Sequence, residues 1–557
     1  MKFLNKIILI AILGVFASCE KDLDLAPLDT ISDGSFWKVA ADFEKAANAF
    51  YHGLGNHSNG GKDQDSDITV GNISNSVSNG TLIAPQNSNF WNGSYGTIRG
   101  TTRLTENYET ASEDLKTEVA RFAAEARFFR ARAYFGLVST YGDVPLVKRV
   151  LDVDSEELDA PRASRADVVA YIFEDLDWAI ANLPKESELA ASEKGRVTHG
   201  AALALKSRVG LFEGTWAKYH GSGDANSYLT ASIEAARQLM ATNEYGIYTH
   251  PDGPGASYYN LFIEAGQGSE ESILARRYND ELNIFHNTTR WVETHHNSPT
   301  KKLADMYLCT DGLPIDQSPL FQGYDMRNSE FQDRDPRMRQ TIIEPGSTVT
   351  WNEGPRIYDV IIGSGNNGPT KSGYLAYKFQ SGSASAAQGR SLYHYMELRY
   401  GEVLLNLAEA LFEKDGMISD GDLDATINLL RDRAGMPSLT NGFVSANAMD
   451  MLTEIRRERT IELAYEGFRL NDLRRWKTAE TELPNAILGV KFVGTEYATV
   501  PPNDALVVGV DLQVDASGFI IADDASNRSF DPAKNYLFAL PLDQIQLNPN
   551  LTQNPNW

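Results

Sequence analysis

Apolar residues recur at helical spacing in separate blocks along the chain. The first block, 36–54, keeps its apolar side chains on one face, and Ser35 is placed to cap its start. The block at 125–147 ends with Gly142 and Pro145, which are typical helix terminators. Further helices are predicted at 168–183, 201–216, 228–240, 399–412, 423–433 and 451–476. Alanines at close-packing positions favour stacked helix pairs of the tetratricopeptide type, although their irregular spacing does not by itself establish a repeat.

Two long stretches between these blocks lack helical periodicity. Residues 56–92 are rich in Asn, Gly, Ser and Asp, and residues 245–391 mix short extended runs with Gly, Pro and aromatic residues. Loops of this length in a compact domain are usually functional or disordered, and their Tyr and Trp content argues against disorder. We therefore predict a mostly α fold, in which helix pairs form a scaffold and irregular loops with a few short strands form a ligand face.

The two ends of the chain carry their own signals. Lys2 and Lys6 form a positive segment before an apolar run, 7–16, that is shorter than the ~20 residues needed to span a bilayer. The Phe-Ala-Ser-Cys sequence that follows resembles a bacterial lipobox, which implies a signal peptide at 1–18 and a lipid on Cys19. The alternative is an ordinary signal peptide followed by an incidental cysteine. At the other end, the run FALPL predicts an extended segment, and Trp557 predicts a docked tail.

The charge of the chain narrows its choice of partner. It has 51 Lys and Arg against 75 Asp and Glu, for a formal net charge of −24. Nucleic acid is therefore not expected as a partner, and polyanionic substrates are repelled at long range. This repulsion is screened beyond a Debye length of ~8 Å, so a local pocket can still differ in sign from the whole surface.

Several motifs, arranged in order along the chain, resemble those of the SusD/RagB family of outer-membrane nutrient-binding lipoproteins from the Bacteroidetes. They include FWKVAADFEKAANAFY at 36–51, TKKLADMYLCTDGLPI at 300–315, RRERTIELAYEGFRLNDLRRW at 456–476 and the tail FALPLDQIQLNPNLTQNPNW. In this tail Asn556 stands where the family has glycine, and asparagine also tolerates a positive φ. The resemblance covers nearly the whole mature chain.

The resemblance implies one SusD-like domain at 19–557. Its helical scaffold is expected at about 36–54, 104–243 and 397–476, with the tail at 536–557. The variable insertions of the ligand face are expected at about 56–92 and 245–391. The Glu-Lys-Asp stretch after Cys19 resembles the family's signal for export to the cell surface.

The family also implies a function. It predicts a non-catalytic surface lipoprotein of the outer membrane that binds an oligosaccharide or polysaccharide and delivers it to a SusC-like TonB-dependent transporter. No cofactor is expected. Two alternatives stay open: a surface glycoside hydrolase, because 75 acidic residues always allow a catalytic pair of carboxylates, and a tetratricopeptide-type scaffold that binds only protein. Which glycan is bound is not readable, and a minority of the family takes peptides.

Motifs for metal binding and catalysis are weak. Asp63, Asp65 and Asp67 alternate as in a calcium loop, but Ile68 and Ser74 stand where that loop needs Gly and Glu. No metal site is therefore predicted. Glu458, Glu462 and Glu466 lie on one face of the predicted helix 451–476. We interpret them as structural ion-pair partners rather than catalytic groups. The partners expected nearby are Arg459, Arg469, Asp472 and Arg475.

Sugar binding needs an aromatic ring for the apolar face of the sugar and polar side chains for its hydroxyls. The stretch 276–297 is richest in both, and we predict that Trp291 stacks on a sugar ring. In the family the early loop often supplies polar contacts, which implicates Asp67 and Asn72. The candidate contacts are Trp291, His295, His296, Tyr278, Asn287, Asp67, Asn72, Trp351 and Tyr358. For each of them the alternative is an ordinary surface or core position, and Trp91 and Trp476 are expected in the core.

Overall fold

Helices make up most of the regular structure. The structure is a computed structural model, and it describes residues 36–57, 62–294, 297–351, 354–358, 362 and 370–557. Within this part the helices are α1 (Ala40–Phe50), α2 (Asn89–Glu109), α3 (Glu113–Tyr141), α4 (Arg165–Asn182), α5 (His199–His220), α6 (Ala225–Ala241), α7 (Pro254–Leu261), α8 (Thr288–Glu293), α9 (Lys301–Met306), α10 (Pro336–Thr341), α11 (Ala384–Ala387), α12 (Tyr400–Asp415), α13 (Asp420–Asp424), α14 (Ile427–Ala434), α15 (Asn441–Ala446), α16 (Met451–Glu462), α17 (Arg469–Arg475), α18 (Ala479–Glu482) and α19 (Leu542–Leu547).

Strands are short and form antiparallel pairs. They are β1 (Thr69–Gly71), β2 (Ser272–Arg276), β3 (Asn297–Pro299), β4 (Thr348–Trp351), β5 (Gly354–Ile357), β6 (Tyr395–Arg399), β7 (Ile487–Lys491) and β8 (Phe519–Asp523). The ladders of the described residues join β1 to β3, β2 to β6, β4 to β5 and β7 to β8. The β1–β3 ladder ties the two irregular insertions to one another, and the β2–β6 ladder ties the second insertion to the segment that leads into α12.

The helical scaffold buries one large apolar core. Helices α3 and α4, α5 and α6, and α6 and α12 pack side by side. Small residues let them approach closely: a Cβ on Gly210 of α5 would lie 2.7 Å from the backbone nitrogen of Ser232 and from the backbone oxygen of Tyr228. Ala202, Ala204 and the α6 residue Ala236 are fully or almost fully buried. The predicted mostly α fold is confirmed.

The first helices begin at residues other than those that the apolar periodicity predicts. Helix α1 begins at Ala40 rather than at residue 36, because the Asp42 carboxylate accepts the backbone N–H groups of Lys38 and Val39. Ser35, the predicted cap, lies outside the described residues. Helix α3 ends at Tyr141 with Gly142 as its C-cap, as predicted, but it begins at Glu113, well before the predicted start at 125.

The predicted single helix 451–476 is wrong. The structure has two helices, α16 and α17, separated by a turn in which Tyr465 has φ 67° and Gly467 has φ 86°. Glu466 lies in this turn and not on the α16 face that carries Glu458 and Glu462. The turn brings the Glu466 carboxylate to the guanidinium of Arg399 at 2.8 Å, so a tertiary ion pair accompanies the break.

The three glutamates are ion-pair partners, as predicted, but their partners are not the expected ones. Arg459, Arg469 and Arg475 instead pair with Asp472, Asp67 and Glu409, and the break after α16 places Arg469 and Arg475 on α17, away from the glutamate face of α16. Arg337 Nη1 lies 2.5 Å from the Glu458 carboxylate, and Arg433 Nη2 lies 2.5 Å from that of Glu462. All four of these side chains are almost completely buried. Trp476, predicted to anchor this region, is 4% exposed, and its indole N–H donates to Glu409.

The C-terminal tail is docked on the body, as predicted. The indole N–H of Trp557 donates to the Leu537 carbonyl oxygen at 2.9 Å, and Lys534 Nζ lies 4.2 Å from the Trp557 ring centroid. Asn556 has φ 63°, a positive value that asparagine tolerates. The predicted extended run FALPL forms no strand, and Pro541 instead precedes the short helix α19.

A second apolar core lies beneath the irregular insertions. It gathers Ile68 from the early loop, Val292 from α8 and Val349 from β4, together with Leu303 and Tyr358. Segments from both insertions predicted for the ligand face therefore share one buried base, which fixes their positions relative to one another.

Candidate functional site

Helix α8 presents a Trp and an Asn on its outer side. Thr288, Thr289 and Val292 are buried, whereas Asn287 is exposed and Trp291 is half-buried. Asn287 is the N-cap residue of α8, and Trp291 follows it after about one helical turn. The outer side of α8 therefore combines an aromatic ring with an amide, as the sequence predicts for a sugar contact.

Contacts from a distant segment hold α8 in place. The backbone groups of His286 and Ser391 exchange hydrogen bonds of 3.1 and 2.8 Å just before the helix. The Thr289 hydroxyl accepts the backbone N–H of Ser381 at 3.1 Å. Gly389 passes so close that a Cβ there would lie 2.9 Å from Asn287 Oδ1. These contacts position the outer side of α8 on a supported base rather than on a free loop.

The pairing of β1 with β3 brings the early loop to the same region. Gly71 pairs with Asn297, so Asn72 continues past the ladder beside the segment that follows α8. Asn297 Nδ2 also donates to the Lys62 carbonyl oxygen at 2.8 Å. Asn72 is half-buried. Two regions that were predicted separately, the early loop and the stretch 276–297, thus meet at one place.

Three predicted contacts are turned inward. Asp67 is 4% exposed and is held by the guanidinium of Arg469, with Nε 2.7 Å from Oδ1 and Nη2 2.8 Å from Oδ2. Tyr278 is 8% exposed and packs edge-on against His286. Tyr358 is 4% exposed within the second core. We therefore remove Asp67, Tyr278 and Tyr358 from the candidate contacts, because burial among protein partners leaves little of each side chain for a ligand.

Three further candidates fall partly or wholly outside what the structure describes. His295 and His296 are not among the described residues. Trp351 ends strand β4 and pairs with Gly354 in the β4–β5 hairpin, and its side chain is not described.

Trp91 is 3% exposed, as expected of a core residue.

A layer of uncharged histidines lies below α8. His57 stacks on His286 with ring centroids 4.2 Å apart, and the Tyr393 ring packs edge-on against both. Burial holds the pKa of His57 well below its usual value and lowers that of His286 to about 4. The pKa of His394 is likewise lowered to about 4, by burial and then by the charge of Arg277. These imidazoles are therefore neutral near pH 7.

Phe285 is an exposed aromatic residue that the sequence analysis missed. It is 38% exposed, and the Arg390 guanidinium lies 4.1 Å from its ring centroid. Arg390 is held in turn by Asp280, with Nη2 2.5 Å from Oδ1. Phe285 lies within the stretch 276–297, in which the sequence analysis treats only Trp and Tyr as sugar platforms.

The alternating aspartates of the early loop have structural partners. The Asp63 carboxylate accepts the backbone N–H groups of Gly467 and Arg469 at 3.3 and 3.2 Å. Among the described residues, no group of three or more His, Cys, Asp or Glu side chains is arranged to hold a metal ion. In the same part of the chain, none of the helices combines the length and the apolar character that crossing a membrane requires.

Comparisons with known proteins agree on one family. Residues 270–557 match the model of the SusD family, and residues 29–211 match that of a family described as starch-binding and associating with the outer membrane. A SusD-like protein of Formosa agariphila is 25% identical, over 99% of this chain and 98% of its own. A SusD-like protein of Bacteroides ovatus is 24% identical, over 71% of this chain and 66% of its own.

A solved structure supports the same relationship. A SusD-like carbohydrate binding protein from Bacteroides fragilis superposes with a TM-score of 0.76 and 25% identity. The superposition covers 93% of this chain and 100% of the other.

Proposed function

Because this chain belongs to the SusD family and has its mostly helical fold, we propose that it is a non-catalytic glycan-binding lipoprotein of the cell surface. It is anchored in the outer membrane through a lipid on Cys19. It binds an oligosaccharide or polysaccharide segment and delivers it to a SusC-like TonB-dependent transporter. The carbohydrate-binding description of the Bacteroides fragilis relative and the outer-membrane association of the matched family support this proposal.

The observation that carries the proposal is the β1–β3 ladder, which sets the early loop that contains Asn72 beside the segment that follows α8. Trp291 offers an aromatic ring for the C–H face of a sugar, and Asn287 and Asn72 offer amides for its hydroxyl groups. His295, His296 and Trp351 stay in the proposed contact set on the strength of the sequence. We call this surface, formed by Asn72, Asn287 and Trp291, the glycan face.

The carboxylates near this face favour binding over hydrolysis. A glycosidase needs one carboxyl group to donate a proton and a second carboxylate across the sugar. Burial alone would raise the pKa of Asp67, but the charge and hydrogen bonds of Arg469 hold it below its usual value. Asp280 is paired with Arg390. Arg469 therefore keeps Asp67 from acting as a proton donor, and Arg390 already occupies the Asp280 carboxylate.

A glycan panel tests the function directly. The purified mature protein is applied to immobilised oligosaccharides and polysaccharides, and the supernatants are analysed for released sugars. We expect retention of at least one glycan without new reducing ends. Product release would instead establish a hydrolase, and retention of no glycan would favour the protein-binding scaffold. Trp291→Ala is the matched control, because it removes the proposed platform and leaves the scaffold intact.

A further inference from the structure

A groove lined in part by the segment that leads into α8 carries two adjacent arginines. It encloses about 620 Å³ between α1 with its following turn, the loop 192–196 and the end of β2. Arg276 and Arg277 line it, together with Lys194 and Arg196. We call it the arginine groove. Its lining also includes Ile284, which belongs to the same segment as Phe285 and lies shortly before α8, so the groove is continuous in sequence with the glycan face.

Backbone oxygens hold the two guanidinium groups. Arg276 Nη1 donates to the carbonyl oxygen of Leu54 at 3.2 Å, and Arg277 Nη1 donates to that of Lys194 at 2.5 Å. Within the part of the chain that the structure describes, neither arginine has a carboxylate at ion-pair distance. By contrast, Arg196 in the same groove is paired with Glu125 at 2.7 Å. A carbonyl oxygen orients a guanidinium but does not cancel its charge, so Arg276 and Arg277 stay cationic and preorganised.

Gly195 makes room for one of these arginines. It has φ 98°, and a Cβ there would lie 2.8 Å from Arg277 Cδ. A side chain at position 195 would therefore displace Arg277 or the loop. Because Gly195 lets the loop 192–196 lie close to Arg277, the Arg277 guanidinium reaches the Lys194 carbonyl oxygen on that loop.

The groove opposes the charge of the whole protein. Its lining has four cationic side chains and two carboxylates, in a chain whose net charge is −24. Two of the cations are paired with carboxylates outside the lining, Arg196 with Glu125 and Lys194 with Glu186 at 2.9 Å, so the charge open to a ligand is that of Arg276 and Arg277. One of the carboxylates, Glu193, is already engaged by Arg121 at 2.7 Å. The other, Glu44, is exposed. Because charges beyond ~8 Å are screened, the groove can attract an anion that the remaining surface repels.

We propose that the arginine groove binds the anionic substituent of an acidic glycan whose neighbouring sugars occupy the glycan face. The planar fork of a guanidinium matches the paired oxygens of a carboxylate or sulfate group, which no neutral sugar offers. This inference rests on the proposed function and narrows it to acidic oligosaccharides carrying uronate or sulfate groups.

Paired ligands test the proposal. One pair is an oligogalacturonide and its fully methyl-esterified form, and the other is a sulfated galactan oligosaccharide and its desulfated form. Binding to each is measured by calorimetry at low and high salt. We expect at least one acidic ligand to bind about tenfold or more tightly than its neutralised partner, with an advantage that shrinks at high salt. The pair that shows the advantage distinguishes carboxylate from sulfate.

Variants of the two arginines test whether the groove causes the tighter binding of the acidic ligand. Arg276→Gln combined with Arg277→Gln should remove it, whereas Arg277→Lys should keep part of it. The control is Arg237→Gln, because Arg237 is exposed and paired with Asp422 on the scaffold. A melt of each variant verifies folding, and Arg277→Gln alone serves if the double variant is unstable.

The outcomes separate this proposal from the proposed function. The arginine groove is not the anion site if each acidic ligand binds no more tightly than its neutral partner. The same conclusion follows if the higher affinity for the acidic ligand persists in the glutamine variants. If glycan binding that depends on Trp291 persists in either case, the proposed function stands. If the wild-type protein binds no glycan at all, both the anion site and the proposed function are overturned.

Discussion

Asp67 and Arg469 form a buried ion pair with two hydrogen bonds, of 2.7 and 2.8 Å, that joins the early loop to helix α17. Asp67 is therefore a structural residue that holds the base of the glycan face. The Thr300 hydroxyl donates to the carbonyl oxygen of Asp67 at 2.9 Å, which adds a contact just after β3. One aspartate thus links three segments that are far apart in the sequence.

Removing this aspartate should cost stability rather than affinity. Asp67→Ala leaves the Arg469 charge buried without its partner, which typically costs roughly 3–5 kcal/mol of unfolding free energy. Denaturant unfolding measures the loss. Glu157→Gln is the control, because it breaks an exposed pair with Arg149 and should leave the unfolding midpoint almost unchanged. A stable Asp67→Ala protein that no longer binds glycan would return Asp67 to the site.

The helices could be predicted from the sequence because their signal is local. An apolar stripe and a terminating Gly142 lie within one segment, so the end of α3 needs no knowledge of the rest of the chain. The break between α16 and α17 could not be predicted, because the ion pair of Glu466 with Arg399 depends on a partner outside the segment.

The candidate site shows the same division between local and distant information. Trp291 and Tyr278 are both aromatic residues in one insertion, and nothing in that insertion tells which is buried. Rings from other segments decide it, because Tyr278 packs beside His57 and is 8% exposed whereas Trp291 is half-buried. Asn72 was placed by resemblance alone, and the pairing of β1 with β3 now gives its position a physical reason.

Trp291→Ala should weaken glycan binding without unfolding the protein. Loss of an aromatic anchor at a binding site typically costs about 2 kcal/mol, or roughly thirtyfold in affinity. Folding should survive, since the Trp291 side chain is only half-buried. Calorimetry on the retained glycan, beside a thermal melt, measures both effects.

A buried tryptophan provides the contrast. Trp476→Ala removes a ring that is 4% exposed and that donates to Glu409, so it should lower the unfolding free energy by ~3–5 kcal/mol. Unchanged affinity in Trp291→Ala, or a melt as low as that of Trp476→Ala, would place Trp291 in the scaffold. Trp351 would then be the next residue to test.

Cys19→Ala should release the protein from the outer membrane. The apolar run 7–16 is too short to span a bilayer, so membrane attachment depends on the lipid expected on Cys19. The measurement is fractionation of cells that lack the transporter, so that the partner cannot retain the protein. Cys309→Ala is the matched control, because Cys309 is fully buried and should not affect anchoring. A Cys19→Ala protein that still sediments with the outer membrane contradicts the lipid anchor.

Acidification should loosen the base of the glycan face through His286. Burial lowers the pKa of His286 to about 4, whereas an unfolded histidine titrates near 6.5. Between these values the unfolded chain binds more protons than the folded one. The contribution of His286 is therefore fully present above about pH 6.5 and is lost as pH falls through about 4, with a total on the order of 3 kcal/mol.

A variant that does not titrate isolates this contribution. The pKa values of Asp63 and Glu330, each raised to about 7 by burial, change stability in the opposite direction, so the wild-type curve alone mixes the effects. We expect His286→Asn to cost much more stability near pH 7.5 than near pH 4, measured by denaturant unfolding at each pH. Because the His286 backbone is paired with Ser391 just before α8, glycan affinity should also decline over this range. An equal cost of His286→Asn at both pH values would show that His286 does not titrate between them.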